Sequence, residues 1–289
     1  MKKHILLPVL LMIFSVSILS AKDATIYLWK NVDGMKSKKS VMYMHKPVES
    51  ERNSGIAVIV CPGGSYHHLG LYNEGHKSAD WFSKQGITAF MLKYRTNEEG
   101  WTYPAMLEDL QRAIQIVREN AEEYGINPQK LGVIGYSAGG HLVTMASEFG
   151  STVNELEKLG IESNVSLKPD FCIPVYPVVS MQDDLAHRWS RKSLLGKDQT
   201  QDRKNRFSME LNVPQDMPPT YVVVCKDDNV VDYRNSVALY DALKEKGIQN
   251  CEFHMYEWGK HGFGMVDGPF MKEFRWNEPL LKWILKVTE

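Results

Sequence analysis

Three short stretches of this 289-residue chain carry residue types that together do acyl-transfer chemistry. The first is Gly135-Tyr136-Ser137-Ala138-Gly139-Gly140. A serine on a sharp turn between a strand and a helix presents its hydroxyl outward, and the flanking glycines allow close backbone approach. The amide of Ala138, first after the serine, then points at the same space and is suited to hold an oxyanion. The second stretch is Pro62-Gly63-Gly64-Ser65-Tyr66, where a backbone donor from Gly64 or Ser65 would complete such a hole. The third is Gly259-Lys260-His261-Gly262, the only Gly-flanked histidine loop that follows a strand-like run near the C-terminus. A serine hydroxyl is a weak nucleophile until a histidine takes its proton, and the histidine in turn needs a carboxylate to fix its tautomer. Asp227 and Asp228, just after the run Tyr221–Cys225, compete for that task, and Asp183 and Asp184 rank behind them.

These residues need a scaffold that brings chain-distant loops together. The runs Ile56–Cys61, Ile87–Leu92, Leu131–Ile134, Phe171–Tyr176 and Thr220–Cys225 are continuous and apolar, as strands buried on both faces are. Helical periodicity lies between them, over Asn73–Lys84, over Pro104 to about Glu123, and from Asp232 to Gly247. On the long helix, Leu107, Leu110, Ile114 and Val117 face the core, and Glu108, Arg112, Arg118 and Glu119 read as its solvated side. A C-terminal helix is expected over Met271–Val287. Alternating strands and helices predict one α/β domain over residues 22–289, with a mostly parallel, doubly wound sheet. Sites in such sheets lie past the carboxyl ends of the strands, where all three stretches fall. The polar segment 181–219, between two sheet strands, is expected to act as a lid.

Residues 1–21 differ from the rest. Lys2-Lys3, an apolar run from Ile5 to Leu19, and then Ser20-Ala21 read as a signal peptide, so a periplasmic or secreted protein is expected, with no membrane anchor after its removal. The net charge of −1 with both signs interspersed gives no footprint for nucleic acid. The four cysteines lack metal or C-x-x-C spacing and read as structural thiols. His67 and His68 are adjacent, with no fitting carboxylate, and read as surface or pocket-rim residues. Neither a metal nor another cofactor is expected.

The pieces Pro62-Gly63-Gly64-Ser65-Tyr66, Leu92-Lys93-Tyr94-Arg95, Glu108-Asp109 through Arg112-Ala113, and Gly135 through His141 resemble the α/β-hydrolase superfamily. So do Tyr176-Pro177, Asp227-Asp228-Asn229-Val230-Val231 and His261-Gly262-Phe263-Gly264. The resemblance is to its bacterial acetyl esterase and acetylxylan esterase branch, related to the hormone-sensitive-lipase and prolyl-oligopeptidase types. It implies a triad of Ser137, His261 and, as the first Asp of its loop, Asp227. It also implies an oxyanion hole from Ala138 with Gly64 or Ser65. Two positions depart from the family pattern: Ser65 replaces a third glycine, and Asp232 replaces a proline. The expected substrate is a short-chain ester, acetyl above all, on a small molecule or oligosaccharide such as xylan, with Tyr66 and Trp189 as substrate-binding aromatics. Trp101 and Trp258 are further aromatics expected near the mouth. A peptidase of prolyl-oligopeptidase type and a non-catalytic binding protein on the same fold are the rival readings.

Overall fold

A computed structural model of the chain describes residues 24–33, 35 and 39–289. The signal peptide expected over residues 1–21 lies outside them. In chain order the strands are β1 (Ala24–Tyr27), β2 (Val41–His45), β3 (Ala57–Cys61), β4 (Thr88–Lys93), β5 (Leu131–Tyr136), β6 (Phe171–Val175), β7 (Tyr221–Cys225) and β8 (Glu252–Tyr256). The helices are α1 (Lys77–Lys84), α2 (Ala105–Glu119), α3 (Ala121–Tyr124), α4 (Ala138–Phe149), α5 (Arg188–Leu195), α6 (Gln201–Arg206), α7 (Arg234–Glu245), α8 (Pro269–Phe274) and α9 (Asn277–Val287).

The strands form one sheet in the order β1-β2-β4-β3-β5-β6-β7-β8. The edge pairs β1/β2 and β2/β4 are antiparallel, and every other pair is parallel. β3, β5, β6 and β7 are buried along their whole length because helices cover both faces. Two apolar layers result. Leu107, Leu110, Ile114 and Val117 of α2 join one, and Leu280, Trp283 and Ile284 of α9 join the other. All four thiols are free, and three of them, Cys61, Cys172 and Cys225, are buried. Among the described residues no helix is long and apolar enough to cross a membrane.

Several elements differ from the sequence expectation. The helix read from Asn73 begins as a wide π-type turn, Leu71–His76, before α1 takes over. The C-terminal helix is two, broken where Arg275 adopts φ 41°. Segment 181–219 is more regular than its polarity implies, since it holds α5, α6 and a 3-10 turn at Met209–Leu211.

The charged face assigned to α2 also needs correction: Glu108 and Arg118 are buried. These two are covered by neighbouring segments and paired rather than hydrated, whereas Glu119 is exposed as expected and Arg112 half-buried. Arg95 Nη2 donates to Glu108 Oε2 at 2.7 Å, and its backbone N–H donates to Asp109 Oδ2 at 2.7 Å. Trp29 Nε1 and Ser40 Oγ complete the shell of Asp109, tying the edge strands to α2. Arg118 donates to the carbonyls of Pro128, Ser166 and Lys168.

Candidate active site

The serine turn follows from β5 running into α4 with no spare residue. Ser137 adopts φ 54° and ψ −118°, a conformation few L-residues take without support. The support is backbone pairing: Ser137 N–H donates to Val175 O at 3.0 Å, and Val178 N–H donates to Ser137 O at 3.0 Å. The turn also requires its glycines. A Cβ on Gly135 would lie 2.1 Å from Gly139 O, and one on Gly139 would lie 2.2 Å from Cys61 O. The Ala138 N–H opens α4, where the helix dipole favours negative charge.

The loop after β3 is fastened at its carbonyls. Tyr94 Oη donates to Pro62 O, Gly70 N–H to Gly63 O, and the amides of His67 and His68 to Gly64 O. The Gly63 N–H is taken by Glu74 Oε2 at 2.7 Å. Among the described residues, no acceptor takes the Gly64, Ser65 or Ala138 N–H, so these three amides remain available to a ligand.

His261 Nδ1 and Asp228 Oδ2 are 2.7 Å apart, with the Asp228 side chain wholly buried. Asp228 Oδ1 accepts the amides of Val230 and Val231 at 2.9 and 3.0 Å. The expectation of Asp227 in this position is therefore corrected. An Asx-type turn points Asp228 inward, and exposed Asp227 accepts the Lys260 N–H at 2.8 Å. The Asp227 carboxylate thus ties its loop to the backbone of the histidine loop without touching the imidazole.

A cavity of about 370 Å³ opens over these groups, lined by Gly63, Gly64, Ser65, His68, Gly70, Asn73, Glu74, Ser137, Trp189, Val230, His261 and Gly262. Ser137, His261 and the glycine loop are thus brought together from three strand ends. Trp189 reaches the rim from α5, 48% exposed, with its rings 5.4 and 5.8 Å from those of His67 and His68. Among the described residues no group of three or more His, Cys, Asp or Glu side chains is arranged to hold a metal ion.

Tyr66 is a second correction. It is fully buried and lines no part of the cavity, because its positive φ turns the ring inward against α4. Its hydroxyl lies 2.8 Å from His141 Nδ1, and His141 Nε2 lies 2.8 Å from Phe207 O. A carbonyl only accepts, so Nε2 carries the proton and Tyr66 donates to Nδ1. Trp101 packs on Arg95 and Trp258 on Phe270 and Phe274, away from the cavity.

Burial pushes the His141 pKa down to about 4 from 6.5, so the folded chain keeps this imidazole neutral. The unfolded chain binds the proton first. Stability present above pH 6.5 is therefore lost as pH falls toward about 4. His141→Gln is expected to flatten that part of a denaturant-midpoint profile measured against pH. An unchanged slope in the variant would contradict a neutral buried imidazole.

Glu74 is a charged cavity residue that sequence reasoning did not single out. Its carboxylate lines the cavity while accepting from the Gly63 amide and, at 2.9 Å, from the Tyr176 hydroxyl. Burial raises its pKa, and the two donors and the nearby His261 and His68 oppose that rise. The Tyr176 hydroxyl also accepts the Gly264 N–H at 3.2 Å, and its ring lies 4.7 Å from that of His261.

The chain is similar to known hydrolases. The BD-FAE family profile matches residues 42–243. An acetylxylan esterase of Xylanibacter ruminicola is 33% identical over 236 residues, covering 80% of this chain and 45% of that protein. The chain thus spans less than half the length of that relative. The crystal structure of an acetyl ester-xyloside bifunctional hydrolase from Caldicellulosiruptor lactoaceticus superposes with a TM-score of 0.81 at 30% identity, covering 94% of this chain and 99% of that one. The thermophilic esterase Est2 of Thermogutta terrifontis, at 22% identity and a TM-score of 0.75 over 92% of this chain and 95% of that one, shares the fold.

Proposed function

The chain belongs to the BD-FAE family of α/β-hydrolases, and from that premise we propose that it is a serine esterase removing acetyl groups from carbohydrate, with Ser137, His261 and Asp228 as its triad. The observation that carries this reading is the 2.7 Å contact of His261 Nδ1 with buried Asp228, over a cavity that also holds Ser137. Asp228 keeps the proton on Nδ1, which leaves Nε2 as the base. Nε2 takes the Ser137 proton as Oγ attacks the ester carbonyl. The oxyanion of the tetrahedral intermediate is held by the Ala138 amide and by that of Gly64 or Ser65. The imidazolium then protonates the departing sugar hydroxyl, and the neutral ring activates water to release acetate.

The substrate class rests on three supports. Relatives named for acetylxylan and for acetyl ester and xyloside hydrolysis match most of this chain. The cavity wall mixes Asn73, Glu74, His68 and Ser65 with an exposed indole, Trp189, the mixture that sugar hydroxyls and ring faces require. The leader-like residues 1–21 fit a polymer met outside the cytoplasm, and we assign the protein to the periplasm or the medium on that reading.

The test is acetate release from acetylated xylo-oligosaccharides, measured beside an aryl acetate and a peptide anilide. Release from the oligosaccharide is the expected result. Aryl ester turnover without it would keep the triad and remove the carbohydrate. Anilide cleavage in place of ester turnover would favour a peptidase, and no turnover at all would favour a binding protein.

A further inference from the structure

The two halves of the site, the glycine loop after β3 and the histidine loop after β8, share no direct backbone hydrogen bond among the described residues. Two side chains in series, Glu74 and Tyr176, bridge them. Glu74 Oε2 accepts the Gly63 N–H at 2.7 Å and Oε1 accepts the Tyr176 O–H at 2.9 Å. Tyr176 in turn accepts the Gly264 N–H at 3.2 Å, three residues beyond His261, and its ring lies against the imidazole. Gly264 is held from its other side, where its carbonyl accepts Trp276 Nε1–H. The chain of contacts therefore runs from the loop bearing two of the free amides, through Glu74 and Tyr176, to the loop bearing the base.

The fit at Gly63 is close. A Cβ there would lie 2.8 Å from Ser137 Cβ and 2.9 Å from Glu74 Oε2, so the carboxylate sits beside the reacting serine. A carboxylate so deeply buried is retained against its desolvation only with donors on both oxygens, and this one has them. It adds no donor toward an oxyanion, and its negative charge would oppose one. What it contributes is geometry, together with a field that favours a positive imidazole.

We propose that Glu74 is a positioning residue, holding the Gly64 and Ser65 amides in register with His261 through Gly63 and Tyr176. This inference rests on the esterase reading above and adds a residue to it. The groups facing His261 are Asp228 on Nδ1, the Tyr176 ring, Glu74, and His187, which senses the imidazole charge from the start of α5. His68 faces Glu74.

The experiment compares Glu74→Gln, Tyr176→Phe and the double variant with wild type on an aryl acetate, with kcat, KM and the pH dependence of kcat/KM recorded. Displacement of the donor loop is expected to lower kcat in each single variant by ~10-fold or more, with KM changed by less than roughly 3-fold. Because both act on one link, the double variant is expected to lose little beyond the worse single variant. The acid limb of kcat/KM reports protonation of the free base. Loss of a neighbouring negative charge moves that limb to lower pH in Glu74→Gln, and Tyr176→Phe leaves it in place.

Wild-type kcat and an unmoved limb in Glu74→Gln overturn the inference, as does a loss of kcat that only tracks a loss of folded protein. If Glu74→Gln does not fold, Tyr176→Phe decides alone, and wild-type kcat in it overturns the link. A wild-type protein without Ser137-dependent turnover overturns the esterase reading and this inference with it. Ser137-dependent turnover at the wild-type kcat in both variants removes the inference alone.

Discussion

Ser137→Ala is expected to lower kcat on a short-chain ester by ~10⁵–10⁶-fold while leaving the fold in place. The size follows from what the hydroxyl does. Without it no acyl-enzyme forms, and only binding and the oxyanion amides remain, worth roughly 10³–10⁴ over the reaction in water. The fold survives because the turn is held by the backbone of Ser137, through Val175 O and the Val178 and His141 amides. The hydroxyl itself makes no hydrogen bond among the described residues. Initial rates on an aryl acetate, beside thermal melts of both proteins, check the expectation. A rate within tenfold of wild type, with no contaminating esterase, would require another nucleophile.

The second large effect separates two neighbouring carboxylates. Asp228→Asn is expected to lower kcat by ~10⁴-fold, because an amide facing Nδ1 selects the wrong imidazole tautomer and cannot stabilise the imidazolium. The loop should keep its shape, since the Asn oxygen still accepts the amides of Val230 and Val231. Asp227→Asn is expected to cost far less, since an amide oxygen replaces the carboxylate as acceptor of the Lys260 N–H. Steady-state kinetics of the two variants, measured side by side, decide the assignment. The opposite ranking would return the role to Asp227.

These two aspartates also mark where sequence reading stops. The placement of Ser137 and His261 at one cavity is legible because each is set by local rules: a serine between a buried strand and a helix with obligatory glycines, and a histidine in a glycine loop past the last strand. The sheet is legible for the same reason, since uninterrupted apolar runs such as Ala57–Cys61 leave few alternatives. Choosing between Asp227 and Asp228 depends on which carboxylate folds back onto amides two and three residues ahead, and counting along a motif does not report that. Tyr66 follows the glycine loop in sequence, yet its backbone turns the ring onto His141 and away from the cavity. Glu74 is harder still. Its partners are 11 and 102 residues away, and it sits on an irregular turn whose width no hydrophobic period encodes. Glu108 and Arg118 read as solvated from helical spacing, and become internal only because Arg95 after β4 and the loop before β6 close over α2.

On the proposed mechanism the reaction takes place at one oxygen atom, Ser137 Oγ, activated by the His261 imidazole that buried Asp228 holds. The most direct test is to react the protein with an aryl dialkyl phosphate, a mimic of the tetrahedral state that such serines trap covalently, and to map the adduct by peptide mass spectrometry. One phosphoryl group per chain on Ser137, formed in step with loss of ester turnover and much more slowly in Asp228→Asn, is the predicted result. An adduct on another residue, or full inhibition with Ser137 unmodified, would contradict it.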